Sequence, residues 1–464
     1  MTTPQQYDAI IIGAGQAGTP LSTALAEAGM RTALIERKHV GGTCVNEGCT
    51  PTKTMIASGR VAYLARRAAD YGVHTGPISI DLEKVRQRKR DIVDKFRNGS
   101  QAKIEKTANV ELVFGEGSFT APKTITVRLH DGSQRVLSAQ RIFINAGTRA
   151  GRPKLDGLDA VSFLDNISIM ELGAVPDHLL VLGGGYVGLE FGQLFRRFGS
   201  DVTIIQGANQ LVTHEDPDVA EEVKKILSRD GIEVVLNAKA TRVDQSGGEI
   251  RLQILSGGDS KTLTGSHLLV ATGRTPNSDT LNLAAAGVGT DQRGFIKVND
   301  RLETTAEGIY ALGDIKGGPA FTHIAYDDFR IIRANLIEKK SASTKGRQVP
   351  YCLFTDPQLG RVGLTESEAR AQGRRIRVAK LPMTSVARAL EVDETRGFMK
   401  AVVDAESNQI LGAAILGIEG GEVMSVLETA MMGNLPYTAL RDATYAHPTL
   451  TESLNNLFMA MDRG

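Results

Sequence analysis

Two glycine-rich turns, each set between an apolar strand and an amphipathic helix, and a C-terminal segment of different character predict an α/β fold: two Rossmann-like three-layer dinucleotide-binding domains plus a C-terminal α+β domain. The first turn is Gly13-x-Gly15-x-x-Gly18 in "YDAIIIGAGQAGTPLSTALAEAGMRTALIE". The second is Gly183-x-Gly185-x-x-Gly188 in "HLLVLGGGYVGLEFGQLFRRFGSDVTIIQ". A chain of 464 residues also exceeds what one hydrophobic core organises, so several domains are expected.

In the first copy an apolar strand, Ala9 to Ile12, meets Gly13, Gly15 and Gly18; the helical pattern Leu21, Leu25, Ala28 follows. After Gly29 a second strand, Thr32 to Ile35, ends in Glu36. A pyrophosphate has to approach the backbone closely and rest on the free N–H groups of a helix N-terminus, where a Cβ would intrude. Glu36 stands 23 residues after Gly13, where an acid can accept hydrogen bonds from a ribose. The second copy repeats the order: strand Leu179 to Leu182, the glycines, a helix to about Arg197, and strand Val202 to Ile205. The residue matching Glu36 is Gln206, which neither repels a 2'-phosphate nor offers it positive charge, so NADH and NADPH are not separated. Two such copies suggest one tightly held and one exchanging dinucleotide.

"RIFINAGTRA" (141–150) and "HLLVATGRTPN" (267–277) are strands ending in small residues, expected where the chain crosses between the nucleotide domains. "TTAEGIYALGDI" (304–315) stops at Gly313-Asp314; taken alone, Asp314 also reads as a helix N-cap. The stretch 339–348, "KKSASTKGRQ", is polar and turn-rich, and is expected to be a linker. Beyond it strand-like pieces ("CLFTD", "GFMKAVVD", "ILGAAIL") alternate with helical ones (Glu422 to Met432, Leu450 to Met461).

With 54 basic and 53 acidic side chains the net charge is +1, and no global field favours nucleic acid or an anionic membrane. No apolar run approaches the roughly 20 residues that span a bilayer. The start lacks the basic and apolar pattern of a secretion signal, and three cysteines make no disulfide framework, so a cytoplasmic location is expected.

Two of those cysteines, Cys44 and Cys49, lie in "GGTCVNEGCTPTK" (41–53). By themselves they are compatible with a reactive pair, a metal clamp or core thiols. With the motifs around it, the stretch resembles the flavin-dependent pyridine nucleotide-disulfide oxidoreductases, the group of dihydrolipoamide dehydrogenase, glutathione reductase and mercuric reductase. The resemblance runs through both GxGxxG turns, "ATGRTPN", "ALGD" and "HPTLTE". "TPTKTMIAS", "FTHIAYDDFRIIRANL" and "AHPTLTESLNNLF" are most similar to mercuric reductase-like members, including the reactive-chlorine-resistance flavoproteins. True mercuric reductases add a C-terminal cysteine pair and often an N-terminal metal-binding domain. Neither appears here, and His447 stands where those enzymes carry a tyrosine.

The resemblance implies an FAD-binding domain from residues 1–150 and 271–345, an NAD(P)-binding domain at 151–270 and a dimerisation domain at 346–464 that makes a homodimer. It implies FAD contacts at Gly13, Gly15, Gly18 and Glu36, with Asp314 on the ribityl chain, and NAD(P)H contacts at Gly183, Gly185, Gly188 and Gln206. Gly42, Thr43, Lys53, Gly117, Gly147, Gly273, Arg274 and Gly313 complete the implied cofactor residues. A disulfide between Cys44 and Cys49 closes so short a loop that stapling is its weaker use. Where the apolar helical stretch begins, a helix N-terminus and Lys53 can stabilise a thiolate at Cys49.

Hydride is therefore expected to pass from NAD(P)H to flavin, then electrons through flavin-proximal Cys49 to exposed Cys44, which attacks a disulfide or takes a soft metal ion. No structural metal is expected; the two cysteines are at most transient ligands of a substrate ion. Lys53 and Glu190 are implied to form an ion pair near the flavin. His447, oriented by Glu452 and supplied by the other subunit, is implied to be the acid–base. Taken alone, Glu190 also reads as a solvated helix face and His447 as a loop or interface residue. His323 is expected to be a satisfied histidine at a helix start, and Cys352 a buried apolar thiol. Dihydrolipoamide dehydrogenase and a non-catalytic nucleotide-binding flavoprotein are the alternative functions.

Overall fold

The strand Gln5–Ile12 lies inside a parallel sheet because nearly every residue of its second half is apolar and both of its faces are covered. Ile10 and Ile12 join Ala33 and Ile35 in one core, while Ala9 and Ile11 join Leu34, Leu21 and Leu25 in another. Side chains alternate across a strand, so these two clusters are the two faces of one sheet, and the result is three layers. Each fully buried aliphatic side chain here contributes roughly 2 kcal/mol.

The computed structural model describes residues 3–462. They form two compact units. One holds residues up to Met55, Glu83–Arg152 and Gly273–Arg347; the other holds Ile56–Leu82, Pro153–Thr272 and the residues from Gln348 onward.

In the first unit Gln5–Ile12 pairs in parallel with Thr32–Glu36 on one side and Gln134–Ile144 on the other. Val110–Ala121 extends the sheet beyond Thr32–Glu36, and Ile309–Ala311 extends it beyond Gln134–Ile144. Thr124–Leu129 pairs antiparallel with both Val110–Ala121 and Gln134–Ile144. Strand order reverses between Gln5–Ile12 and Gln134–Ile144, the place where such sheets bind a nucleotide. The crossing strands Thr148–Ala150 and Arg274–Pro276 pair antiparallel within this unit.

The second unit repeats the design. His267–Val270, His178–Leu182, Asp201–Ile205 and Glu233–Val235 form a four-stranded parallel sheet. One face packs on the antiparallel strands Ala238–Ser246, Glu249–Ser256 and Asp259–Gly265 through Leu180, Leu182, Val243, Leu252 and Ile254. The other carries the helix Tyr186–Phe198. The C-terminal region is a five-stranded antiparallel sheet whose core is closed by Val423, Met424 and Leu427 of one helix and Leu454, Leu457 and Phe458 of another. The chain is thus a mixed α/β protein with two Rossmann-like domains and a C-terminal α+β domain.

The polar stretch 339–348 is integrated with its surroundings. Ala342 N–H donates to Asn335 Oδ1 at 2.7 Å and Thr344 N–H to the Asp300 carbonyl at 2.8 Å. Its polarity reflects hydrogen bonding to the fold, which composition alone does not distinguish from solvation.

Candidate active site

Both glycine turns make the same backbone demands. Gly13 and Gly183 are left-handed, with φ of +104° and +121°, and a Cβ would lie 2.3 Å from the Asn145 carbonyl in one and 2.4 Å from that of Ala271 in the other. No larger residue fits either place. The helices that follow, Gly18–Glu27 and Tyr186–Phe198, have N-caps, Ala17 and Gly185, that supply no side-chain hydrogen bond. No side chain therefore occupies the start of either helix, where backbone N–H groups suit an anion; in the first helix Thr19 N–H is already taken by the Gly15 carbonyl at 3.0 Å. At Gly185 a Cβ would meet open space. Glu36 closes the first loop: Oε2 accepts the Ala14 N–H at 2.8 Å, and Oε1 accepts those of Lys38 and His39. Gln206 takes the matching place in the second, with Oε1 accepting the Gly184 N–H at 3.3 Å. Gly117 lies within Val110–Ala121, where a Cβ would touch Ile35, the neighbour of Glu36.

The cysteine stretch is built onto the first loop. Gly41 N–H donates to the Ala14 carbonyl at 2.8 Å, and a Cβ on Gly42 would lie 2.7 Å from Gly15 Cα. Gly42, Thr43 and Cys44 begin the short helix Gly42–Asn46. Asn46 pins it by donating to the carbonyls of Val40 and Gly42 and accepting from Arg97 at 2.7 Å. Cys49 is the first residue of the 18-residue helix Cys49–Arg66, with half-buried Lys53 in its first turns. Its Sγ lies 3.5 Å from the hydroxyl of Thr322, the first residue of the helix Thr322–Leu336. Two helix N-termini therefore meet at Cys49, an arrangement that favours negative charge on sulfur.

The Cys44 thiol is pushed well up by its hydrogen bond to Cys49 and then by burial. The exposures differ from expectation: Cys44 is half-buried and Cys49 exposed. The short helix turns Cys44 inward, so the attacking role assigned to it does not follow from its accessibility in the single chain.

Thr322 was not singled out by sequence reasoning, although it precedes His323 at the start of a helical apolar pattern. His323 stacks on Phe321, with ring centroids 5.3 Å apart. Cys352, in Tyr351–Leu353, is half-buried rather than buried, with Sγ 3.8 Å from Gln358 Oε1. The short strand leaves it near a polar amide.

Asp314 lies in the turn Gly313–Lys316 and accepts the Thr148 hydroxyl at 3.2 Å. Thr148 in turn accepts from Arg274, at 2.6 Å on its hydroxyl and 2.8 Å on its carbonyl. Gly147 and Gly273, both left-handed, flank this cluster. Asp314 does not cap the helix Thr322–Leu336, whose N-cap is Phe321. In the second unit Glu190 is 5% exposed, and Oε1 accepts the Phe354 N–H at 2.9 Å, so it is not on a solvated face. His447 and Glu452 are brought together, with Nδ1 2.9 Å from Oε2. With the proton on Nδ1, that N–H donates to the Glu452 carboxylate and Nε2 of exposed His447 is the acceptor.

Residues 7–328 match the family model for pyridine nucleotide-disulphide oxidoreductases, and residues 349–458 match that family's dimerisation domain. The chain is 37% identical over 457 residues to the probable pyridine nucleotide-disulfide oxidoreductase RclA of Escherichia coli, covering 98% of this chain and 99% of that protein. It is 35% identical to mercuric reductase of Bacillus cereus, covering 98% of this chain and 72% of that one. The solved Cu(II) complex of the HOCl-induced flavoprotein disulfide reductase RclA from E. coli superposes with a TM-score of 0.90 at 35% identity, covering 98% and 99% of the two chains. The uncapped helix N-termini and the glycine turns that leave no room for a Cβ fit two dinucleotides. With these likenesses they make the chain a member of the pyridine nucleotide-disulphide oxidoreductase family, an oxidoreductase that uses FAD and NAD(P)H.

Proposed function

We propose that this protein carries electrons from NAD(P)H, through FAD and the Cys44–Cys49 pair, to a small-molecule disulfide or a soft metal ion. The observation that carries this reading is the pair of hydrogen-bonded thiols on the first glycine loop, with Cys49 at the start of one long helix and beside the start of another. Bound FAD supplies the two-electron exchange between nicotinamide and sulfur.

Two electrons and one proton open the Cys44–Cys49 disulfide to a thiol at Cys44 and a thiolate at Cys49. His447, from the second copy of a homodimer, takes the Cys44 proton as that sulfur attacks the substrate disulfide. The substrate S–S bond breaks, and the leaving thiolate receives the proton from His447. Cys49 then attacks Cys44 in the mixed disulfide, which restores the Cys44–Cys49 bond and releases the second substrate thiolate. In sum NAD(P)H and a proton reduce one disulfide to two thiols. Glu452 holds His447 in the required tautomer. Lys53 acts beside the flavin, and Asp314 meets its ribityl chain.

The two sulfurs also suit a soft ion as substrate. The solved Cu(II) complex of a 35% identical flavoprotein supports that branch. A cytoplasmic location is supported by the low cysteine content. No helix among the described residues is long and apolar enough to cross a membrane. Turnover assayed in parallel with oxidised glutathione, Hg(II), Cu(II), and dihydrolipoamide plus NAD tests the reading. Reduction of a disulfide or an ion by NAD(P)H supports it, and activity confined to dihydrolipoamide oxidation replaces it with dihydrolipoamide dehydrogenase.

A further inference from the structure

We propose that Asp328 is a positioning residue for FAD: it holds the Gly313–Lys316 turn in place, and Arg347 acts on that turn through it. Asp328 lies on the helix Thr322–Leu336 and is 0% exposed. Its Oδ2 accepts the Gly313 backbone N–H at 2.8 Å and pairs with Lys316 Nζ at 3.2 Å. Its Oδ1 pairs with Arg347 Nη1 at 2.7 Å, and the same nitrogen reaches Asp327 at 3.4 Å. An ionised carboxylate without solvent persists only when fully paired, and this one is committed on both oxygens. Its partners are the first residue of the turn, the last residue of the turn, and a residue from the polar stretch that follows the helix.

The turn has little freedom. Gly313 is left-handed, with φ of +68°, and a Cβ would lie 3.0 Å from Asn145 Oδ1. Leu312 N–H donates to the Ile144 carbonyl at 2.9 Å, which hangs the turn from the parallel sheet. Asn145 itself donates to the Gly13 carbonyl at 3.1 Å, so the turn and the first glycine loop share a neighbour. Asp314 is held from one side by Thr148 and, through Gly313 and Lys316, from the other by Asp328. An amide at 328 could still accept the Gly313 N–H, but it would leave Lys316 without its counter-charge and Arg347 with only the longer pairing to Asp327, and would free the turn. This rests on Asp314 as a flavin contact.

The test measures FAD dissociation from the holoenzyme by recovery of free-flavin fluorescence on dilution, for Asp328→Asn, Arg347→Gln, their double variant and Asp314→Asn. Asp328→Asn is expected to raise the FAD Kd by about ten- to a hundredfold, and Arg347→Gln by less. The double variant is expected to match Asp328→Asn alone, since Arg347 acts through that carboxylate. NADP+ binding, read by calorimetry, is expected to stay within about twofold of wild type, and excess FAD to restore the flavin spectrum. Unchanged FAD affinity in Asp328→Asn overturns the proposal. So does parallel loss of FAD and NADP+ binding, which marks a merely structural role. If Asp328→Asn does not fold, Arg347→Gln carries the test, and wild-type FAD affinity there overturns it. Weakened FAD binding in Asp328→Asn but not in Asp314→Asn supports the turn-holding role and removes Asp314 as the contact.

Discussion

Gln206 accepts the backbone N–H of Gly184 at 3.3 Å, the same bond that Glu36 makes with Ala14 at 2.8 Å in the first nucleotide loop. Its amide nitrogen donates to the Gln210 carbonyl at 3.2 Å, so the side chain is anchored at the end of Asp201–Ile205. A carboxylate at this place repels a 2'-phosphate and a cation attracts it; the amide does neither.

Both NADH and NADPH are therefore expected to reduce the flavin, with kcat/KM values within about a hundredfold of each other. Gln206→Glu shifts the ratio toward NADH and Gln206→Arg toward NADPH. Stopped-flow reduction with each nucleotide measures this. A ratio untouched by both substitutions would remove Gln206 from the nucleotide site.

Cys44→Ser separates the two halves of the reaction. FAD binding and its reduction by NAD(P)H stay near wild type, because Cys44 acts only after that step. Disulfide turnover falls by roughly three orders of magnitude or more. Retention of most disulfide turnover would rule out Cys44 as the attacking thiol.

Glu452→Gln leaves His447 without the carboxylate that fixes its tautomer. Disulfide turnover is expected to fall by about tenfold or more, a share of what general acid–base catalysis contributes, while flavin reduction is unchanged. An equal loss in both half-reactions would instead indicate damage to the fold.

Lys400, 1% exposed, is held by Asp216 at 3.0 Å, Asp218 at 3.1 Å and Glu366 at 2.9 Å. Burial alone would raise the Asp216 carboxyl, but Ser367 and Lys400 outweigh it and bring it down to about 2. Its folded value lies below the unfolded value near 3.9, so its stabilisation is full above about pH 5 and is lost as pH falls toward 2. Lys400→Met removes the cation these carboxylates share and is expected to destabilise the protein by about 3 kcal/mol at neutral pH. Denaturant unfolding at pH 7 and across pH 2–5 checks both the loss and its sign.

The nucleotide loops were legible because their chemistry is local: glycine spacing, a flanking strand and helix, and a residue at the next strand end lie within about thirty positions. The cysteine pair was legible only through its resemblance, since its partner Thr322 is 273 residues away in sequence. The same distance problem hid Asp328, which composition places on an ordinary helix face, and the role of Arg347 in a stretch that looks like a linker. Glu190 could also be read as solvated, because nothing near it in sequence announces the Phe354 N–H that it accepts. Exposure of the two sulfurs depended on how the short helix Gly42–Asn46 turns, which its five residues do not encode by periodicity.

The central claim, that Cys44 and Cys49 form a redox pair in series with the flavin, is tested most directly by anaerobic reductive titration of the oxidised holoenzyme, followed by flavin absorbance and by thiol counting. With one FAD per chain, two electrons for the flavin and two for the disulfide predict uptake of four electrons per subunit and the appearance of two new thiols, at Cys44 and Cys49. Uptake of two electrons with no new thiol would contradict it.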